Sequence, residues 1–181
     1  MEVQESKLAC LIHYIVWKCS DPTLLGATKL NKVLWYADAF AYMERGIPIT
    51  GVTYVKRPFG PAPRANVLFA AQQSLQDTGK IAITEGVYYD KPQRQFVALQ
   101  RLDISGFSSE EISIVDLVID KVCHDHMKSS ISKATHTIIW EAAEIGEGIP
   151  LHALFATHVG ELTEDDIQWA RAEAMRLGLR R

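Results

Sequence analysis

Histidine and cysteine are the side chains in this sequence that could bind a metal ion or act as nucleophiles. The six histidines are scattered, and His124 and His126 make the single H-x-H pair. Residues two apart on a helix point about 200° away from each other, so these imidazoles would not converge on one ion. The chain contains no HExxH, H-x-x-E-H or C-x-x-C pattern. We therefore predict structural or surface histidines and no metal site.

The thiols and carboxylates give no clearer sign of catalysis. Cys10, Cys19 and Cys123 fall on apolar stretches of expected helices, where a buried thiol stays protonated and inert. No G-x-S-x-G or G-x-x-x-x-G-K-[ST] pattern is present. The clustered acids lie at expected helix caps or exposed faces, where charge serves solubility: Glu110, Glu111, Glu141, Glu144, Glu164 and Asp165. The sequence thus predicts a protein that is not an enzyme, with no catalytic residue and no cofactor.

Length and composition indicate one soluble globular domain. The 181 residues are 48% hydrophobic and 23% charged, enough for a core without disulfides or metal, and we expect a single domain over residues 1–181. A net charge of -3 gives no general attraction to nucleic acid or to anionic membranes. The start lacks the basic region of a signal peptide, and no apolar run reaches about 18 residues. We therefore expect a cytoplasmic protein without a membrane segment.

Apolar periodicity predicts a mainly helical chain. A first helix should follow a Ser6 cap, and a second should run from residue 27 or 28 to Arg45 and end at Gly46. The second helix should bury a stripe of five residues: Leu30, Val33, Leu34, Ala37 and Ala41. Further helices are expected between the prolines at 58–63 and Gly79, after a Ser108–Glu111 capping box, over residues 130–145 and after a Thr163 cap.

Alternating residues predict a few short strands. Residues 49–57 should form one strand, and β-rich runs lie at 80–84, 87–89 and 95–99. Pro58, Pro61 and Pro63 should prevent regular structure after the first strand. A small antiparallel sheet, which residues 52–56 could join, is the economical arrangement. The predicted fold class is α+β, predominantly α-helical: a single compact domain with a small antiparallel β-sheet.

Aromatic residues concentrate in one stretch of the chain and comprise Trp35, Tyr36, Phe40, Tyr42, Tyr54 and Phe59. Some of these rings must lie in the core, but the four on one helix span too much of its circumference to face a single interior. Exposed rings beside arginine are typical of protein interfaces. We therefore predict a partner-binding surface built from six residues: Lys32, Trp35, Tyr36, Tyr54, Arg57 and Phe59.

The same stretch carries cations that could contact a nucleic-acid backbone, namely Lys29, Lys32, Lys56, Arg57 and Arg64. The acidic overall balance and the lack of a clear helix-turn-helix pattern argue against this interpretation. A solvated basic face is the better interpretation, so a nucleic-acid partner is not expected.

Several motifs, in order along the chain, resemble the Panacea (SocA-like) antitoxin family, which also includes phage-associated GepA proteins. They are the helix Lys29–Asp38, the P-I-T-G-x-x-Y segment Pro48–Tyr54, the turn Phe59–Pro63, Thr135-His136 with Trp140, and Ile149–Leu151. Thr135 replaces the family's usual serine, and Leu151 replaces its usual tyrosine. The family-signature residues are Lys29, Asp38, Gly51, Gly60, Pro61, His136, Trp140 and Pro150.

The resemblance implies an antitoxin that binds and neutralises a co-encoded protein toxin. In the SocA branch it also implies an adaptor that delivers the toxin to the ClpXP protease. It specifies neither the toxin nor the oligomeric state. His136 and Trp140, four residues apart, would share a helix face and tie their helix to the Gly60 loop.

Two other hypotheses stay open beside the antitoxin. The first is a nucleic-acid-binding regulator of a phage or mobile-element locus. The second is an enzyme whose site combines Asp38, His136 and Trp140, which requires a concave pocket where these groups converge.

Overall fold

The computed structural model describes residues 6–88, 90–124, 138–157 and 164–176. Within these ranges the chain is mostly helical and contains two small antiparallel sheets. The predicted class, a predominantly helical α+β fold, is confirmed. The first part of the helix predicted over residues 130–145, and the Thr163 cap, lie outside the described residues.

The described residues contain six α-helices: α1 (Lys7–Cys19), α2 (Ala27–Arg45), α3 (Ala65–Asp77), α4 (Ser109–Ile119), α5 (Ile138–Ala142) and α6 (Glu164–Arg176). A π-helical segment, Asp120–His124, continues α4, and Leu151–Thr157 forms a 3₁₀ helix. The predicted signals set several of these ends. The Ser6 hydroxyl accepts a hydrogen bond from the Ala9 amide, Gly46 ends α2 at a φ of 72°, and Ser108 and Glu111 form the full capping box of α4.

Five strands form the two sheets. Strand β1 (Tyr54–Arg57) lies between β2 (Gly60–Pro63) and β5 (Gly148–Ile149), and all of these pairs are antiparallel. Strands β3 (Ile81–Tyr88) and β4 (Lys91–Ala98) form a separate hairpin. The small antiparallel sheet predicted from the later β-rich runs is present as the β3–β4 hairpin. Residues 52–56 do not join it, because β1 pairs with β2 and β5.

The prediction that the prolines prevent regular structure after the first strand is wrong, because Gly60–Pro63 forms strand β2. Arg64 donates its amide hydrogen to the Thr53 carbonyl, so the even-numbered amides of this edge strand point toward β1. Pro61 and Pro63 occupy the odd positions, whose missing N–H groups would point away from the sheet. Proline therefore removes no bond from this ladder.

Helix α2 lies at the centre of the packing, against α1, α4, β2 and the 3₁₀ helix. All five residues of its predicted stripe are fully buried. The strand predicted over residues 49–57 is shorter than expected, because residues 46–53 follow an irregular path held by a buried side chain of α2.

That side chain is Asp38, which is fully buried. One carboxylate oxygen accepts the Thr50 amide hydrogen at 2.7 Å. The other accepts the Thr50 hydroxyl and lies 2.8 Å from the Tyr54 hydroxyl, which is also 2.8 Å from the Leu34 carbonyl. This group, the Asp38 cluster (Leu34, Asp38, Thr50 and Tyr54), attaches the loop and β1 to α2.

Burial raises the pKa of Asp38 above its ordinary value, although the hydrogen bonds from Thr50 and Tyr54 act in the opposite direction. The number of protons available to the Asp38 cluster is consistent with a raised pKa of Asp38. The Tyr54 hydroxyl has one proton but faces two oxygen acceptors, Asp38 and the Leu34 carbonyl. A protonated Asp38 can donate to Tyr54 while Tyr54 donates to Leu34, and both contacts are then satisfied.

Replacing Tyr54 with phenylalanine should destabilise the protein by about 1–2 kcal/mol, because it leaves the buried Leu34 carbonyl and Asp38 carboxyl short of a partner. The ring should stay packed edge-on against Trp35, whose ring centroid lies 5.0 Å away. The change therefore isolates the hydroxyl. Urea unfolding of both proteins measures the difference, and an unchanged midpoint would show that the hydroxyl contributes nothing.

The Asp38→Asn variant should reveal the raised pKa of Asp38. A folded-state pKa above the unfolded value means that the folded protein holds the proton more tightly, so this contribution is fully present below the unfolded pKa and is lost as the pH rises through the folded pKa. The free energy of unfolding of the wild type, minus that of Asp38→Asn, should therefore decrease as the pH rises from about 4 to 8. Urea titrations at several pH values measure this difference, with the exposed Asp77→Asn as the control for loss of a surface carboxylate. A difference that increases with pH would contradict the assignment.

Candidate functional site

Two of the six predicted partner-binding residues lie in the core. Trp35 is 4% exposed and Tyr54 1%, and their rings meet at an interplanar angle of 74°. This edge-to-face contact joins α2 to β1 beside the Asp38 cluster. Burial therefore makes these residues part of the framework and withdraws them from direct contact with a partner.

Arg57 and Phe59 instead lie on the surface, at the turn that joins β1 to β2. Both side chains are exposed, and the Phe59 ring is 71% exposed. Pro58 between them fixes its own backbone angle, and Gly60 closes the turn at a φ of 122°, which side-chain-bearing residues rarely adopt. We call Arg57–Phe59 the hairpin tip. It presents a cation and an aromatic ring on a rigid turn.

A small cleft of about 60 Å³ separates the hairpin tip from the start of α2, where Thr28, Asn31 and Lys32 line it. Lys32 is only 6% exposed, and burial lowers the pKa of its ammonium group. The side-chain oxygen of Asn31 is buried and has no hydrogen-bond partner among the described residues. The cleft thus sets a cation and a hydrogen-bond acceptor beside the exposed Phe59 ring.

Tyr36, the remaining predicted contact residue, is half-buried and stacks on Phe40 with ring centroids 6.0 Å apart. Burial raises its pKa to about 12. The pair borders an apolar depression of about 120 Å³ that Val118, Lys121 and Val122 complete. This depression belongs to the contact of α2 with α4 and the π-helical segment, and the hairpin tip does not line it.

A larger groove was not expected from the sequence. It has a volume of about 440 Å³ and lies between the end of α2, the loop after it, β5 and the 3₁₀ helix. Its lining includes Gly51 and Pro150, two family-signature residues from distant parts of the chain, together with Tyr42 and His152. The sequence marked both residues as parts of family motifs, but it did not indicate that the motifs are neighbours. The pairing of β1 with β5 brings them together.

Trp140 packs against Lys56 of β1, whose ammonium nitrogen lies 4.2 Å from the centre of a Trp140 ring. The same nitrogen donates to the Ala143 carbonyl at 2.9 Å. Trp140 therefore ties α5 to β1, whereas the sequence suggested a tie to the Gly60 loop. His136 lies outside the described residues, so its predicted pairing with Trp140 stays a prediction.

The cations considered for nucleic-acid binding are dispersed. Lys29 contacts the Cys123 carbonyl at 3.4 Å, Lys32 is buried, and Lys56 is engaged beneath Trp140. Only Arg57 and Arg64 of this set are exposed. The structure gives this set no continuous basic surface, and the nucleic-acid hypothesis stays an untested alternative.

The hypothetical enzyme site finds little support in the described ranges. Asp38 is enclosed by its hydrogen-bond partners and does not reach a cavity surface. No group of three or more histidine, cysteine, aspartate or glutamate side chains in these ranges could hold a metal ion. Among the helices described, none combines the length and the apolar character needed to cross a bilayer.

Comparison with known proteins identifies the family. The family model described as antitoxin SocA-like, Panacea domain, matches residues 30–141, from the first turn of α2 into α5. The match contains Asp38, Gly60 and Trp140, while Lys29 and Pro150 flank it. No curated protein and no solved structure matched the chain. Because the family model covers more than half of the sequence, the chain belongs to the SocA-like antitoxin family that is defined by the Panacea domain.

Proposed function

We propose that this protein neutralises a cognate protein toxin by binding it directly, and that the hairpin tip and its cleft are the contact surface. The family match carries the first part, since a SocA-like antitoxin domain indicates a toxin partner and a non-catalytic role. The exposure of Phe59 carries the second part. The proposal places the protein in the cytoplasm, where it would meet its toxin.

The hairpin tip has the composition and rigidity of a binding anchor. Aromatic and arginine side chains are enriched in protein interfaces and contribute much of their binding energy. The short turn and its proline limit the conformational freedom that a partner must remove, so less free energy is lost on binding. Strand β1 is held by β2, β5 and the Asp38 cluster, which gives the tip a fixed base.

The residues that line the cleft indicate the chemical character of the segment that the partner would present. The buried Lys32 ammonium and the exposed Arg57 favour an acidic or carbonyl-rich segment of the toxin, and Phe59 favours an apolar neighbour. The proposal extends to a second step, in which the bound toxin is delivered to ClpXP for degradation. This step would shorten the half-life of the toxin only when both this protein and ClpXP are present.

Co-expression with the protein encoded beside its own gene tests the proposed function. We expect the neighbouring product alone to stop growth, and this protein to restore growth and to co-purify with it. A neighbouring product that is harmless, or that remains toxic without forming a complex, would contradict the proposal. If the toxin is bound but not degraded, neutralisation by binding is still supported, and only the proposed delivery to ClpXP is contradicted.

The Phe59→Ala variant should weaken toxin binding about tenfold or more, and Arg57→Glu should also weaken it, mainly through slower association. Trp169→Ala is the matched control, because that ring is 70% exposed and lies outside the family match. Titration calorimetry gives the affinity, and circular dichroism confirms the fold. If Phe59→Ala and Trp169→Ala bind the toxin equally well, the hairpin tip is not the contact surface.

A further inference from the structure

Helix α6 differs from the other long helices in how little of the described fold it touches. Helices α1, α2, α3 and α4 pack extensively on their neighbours, whereas α6 makes no extensive contact with any other helix or strand that the structure describes. A helix of 13 residues is only marginally stable in water by itself, because most helices in proteins are stabilised by packing one face on another element. The side chains that α6 exposes therefore indicate what could pack on it.

The exposed side chains of α6 form one stripe along the helix. Trp169 is 70% exposed, and Asp165, Ala172 and Arg176 are exposed as well. These positions follow one another at steps of four, three and four residues, which is the spacing of the seam along which two helices pack in a coiled coil. Met175 is 55% exposed and adds apolar surface at one end. We call Asp165, Trp169, Ala172 and Arg176 the α6 stripe.

The order of the side chains in the α6 stripe is self-complementary. From its start to its end the stripe is acidic, large and aromatic, small, and basic. When a second copy lies antiparallel, with a twofold axis between residues 170 and 171, Asp165 of each copy faces Arg176 of the other. The same arrangement sets each Trp169 opposite an Ala172, so that a large side chain meets a small one. A parallel pair would instead bring like charges together at both ends of the helix, which disfavours association.

We propose that the α6 stripe is a dimer interface, on which a second copy of this chain packs its own α6 in the antiparallel direction. Trp169 anchors the contact, because tryptophan is among the side chains that contribute most to binding energy. The exposed pairs of Asp165 with Arg176 set the direction of the helices and add little affinity. A helix of 13 residues is about 20 Å long, which gives an interface at the low end of the usual sizes. The dimer is therefore weak and reversible, with a dissociation constant in the micromolar range.

This dimer is independent of the proposed toxin binding. Helix α6 begins at Glu164, beyond the family match, which ends at residue 141. The described lining of the cleft comes from α2, β1, β2 and the turn between the two strands. Failure of the dimer would therefore leave the toxin-binding proposal intact, and failure of toxin binding would leave the dimer.

Sedimentation equilibrium of the full chain, at concentrations from micromolar to near-millimolar and with dithiothreitol present, measures the self-association. We expect a reversible equilibrium between monomer and dimer. Trp169→Ala should raise the dissociation constant about tenfold or more. Phe59→Ala is the matched control, because it removes a ring of similar exposure, 71%, from the hairpin tip and should leave the dissociation constant unchanged. Circular dichroism checks that both variants keep the fold.

Two charge reversals test the antiparallel pairing. Asp165→Arg and Arg176→Glu each set like charges opposite one another, so each variant alone should dimerise several-fold more weakly than the wild type. An equimolar mixture of the two variants should form heterodimers with nearly the affinity of the wild type, because opposite charges then face each other again. Asp77→Arg, which changes an exposed carboxylate of α3, is the matched control and should have no effect.

Three results would overturn the proposal. The first is a wild-type chain that stays monomeric over the whole range, because the α6 stripe would then not bind a second copy. The second is a dimer that Trp169→Ala and both charge reversals leave unchanged, because its contact would lie elsewhere on the protein. The third is a mixture of the two charge variants that associates no better than either variant alone. Recovery in the mixture requires folded chains, so it separates the loss of a contact from the loss of the fold.

Discussion

The arrangement of β1 and of the surfaces built on it depends on the hydrogen bonds of the buried Asp38 carboxyl. It joins α2 to Thr50 in an irregular loop and to Tyr54 at the start of β1. Strand β1 then carries Lys56, which packs on Trp140, and Arg57, which begins the hairpin tip. The same strand pairs with β5 and so forms one side of the large groove. The positions of the hairpin tip and of the large groove therefore depend on one polar cluster.

A buried carboxyl is an expensive way to hold a loop, because burial disfavours its charged form. An apolar contact would stabilise the loop without fixing its path. The loop bends through Gly46 and Gly51, both with positive φ, so it has no ladder of backbone hydrogen bonds to set its register. Asp38 supplies directional acceptors in place of that ladder, and a shifted loop would leave them unsatisfied. The Asp38 cluster therefore favours one path of the loop over other paths close to it.

Local signals in the sequence predicted the helices well, and long-range contacts explain the failures. The Ser6 cap, the Ser108–Glu111 capping box and the five-residue stripe of α2 act within a few turns, and the structure contains all of them. The strand at Gly60–Pro63 was missed because tolerance of proline depends on which edge of a sheet is unpaired. The contact of Trp35 with Tyr54 and the contact of Lys56 with Trp140 join distant segments, which periodicity cannot detect.

The division between buried and exposed residues also bears on recognition. Asp38, Gly60 and Pro61, three family-signature residues, are buried and shape the framework around β1 and β2. Arg57 and Phe59 lie beside them, and their side chains are exposed. Substitutions at such positions change a binding surface while the fold stays intact. A framework held by specific buried contacts thus allows the side chains of the hairpin tip to change while the fold is kept.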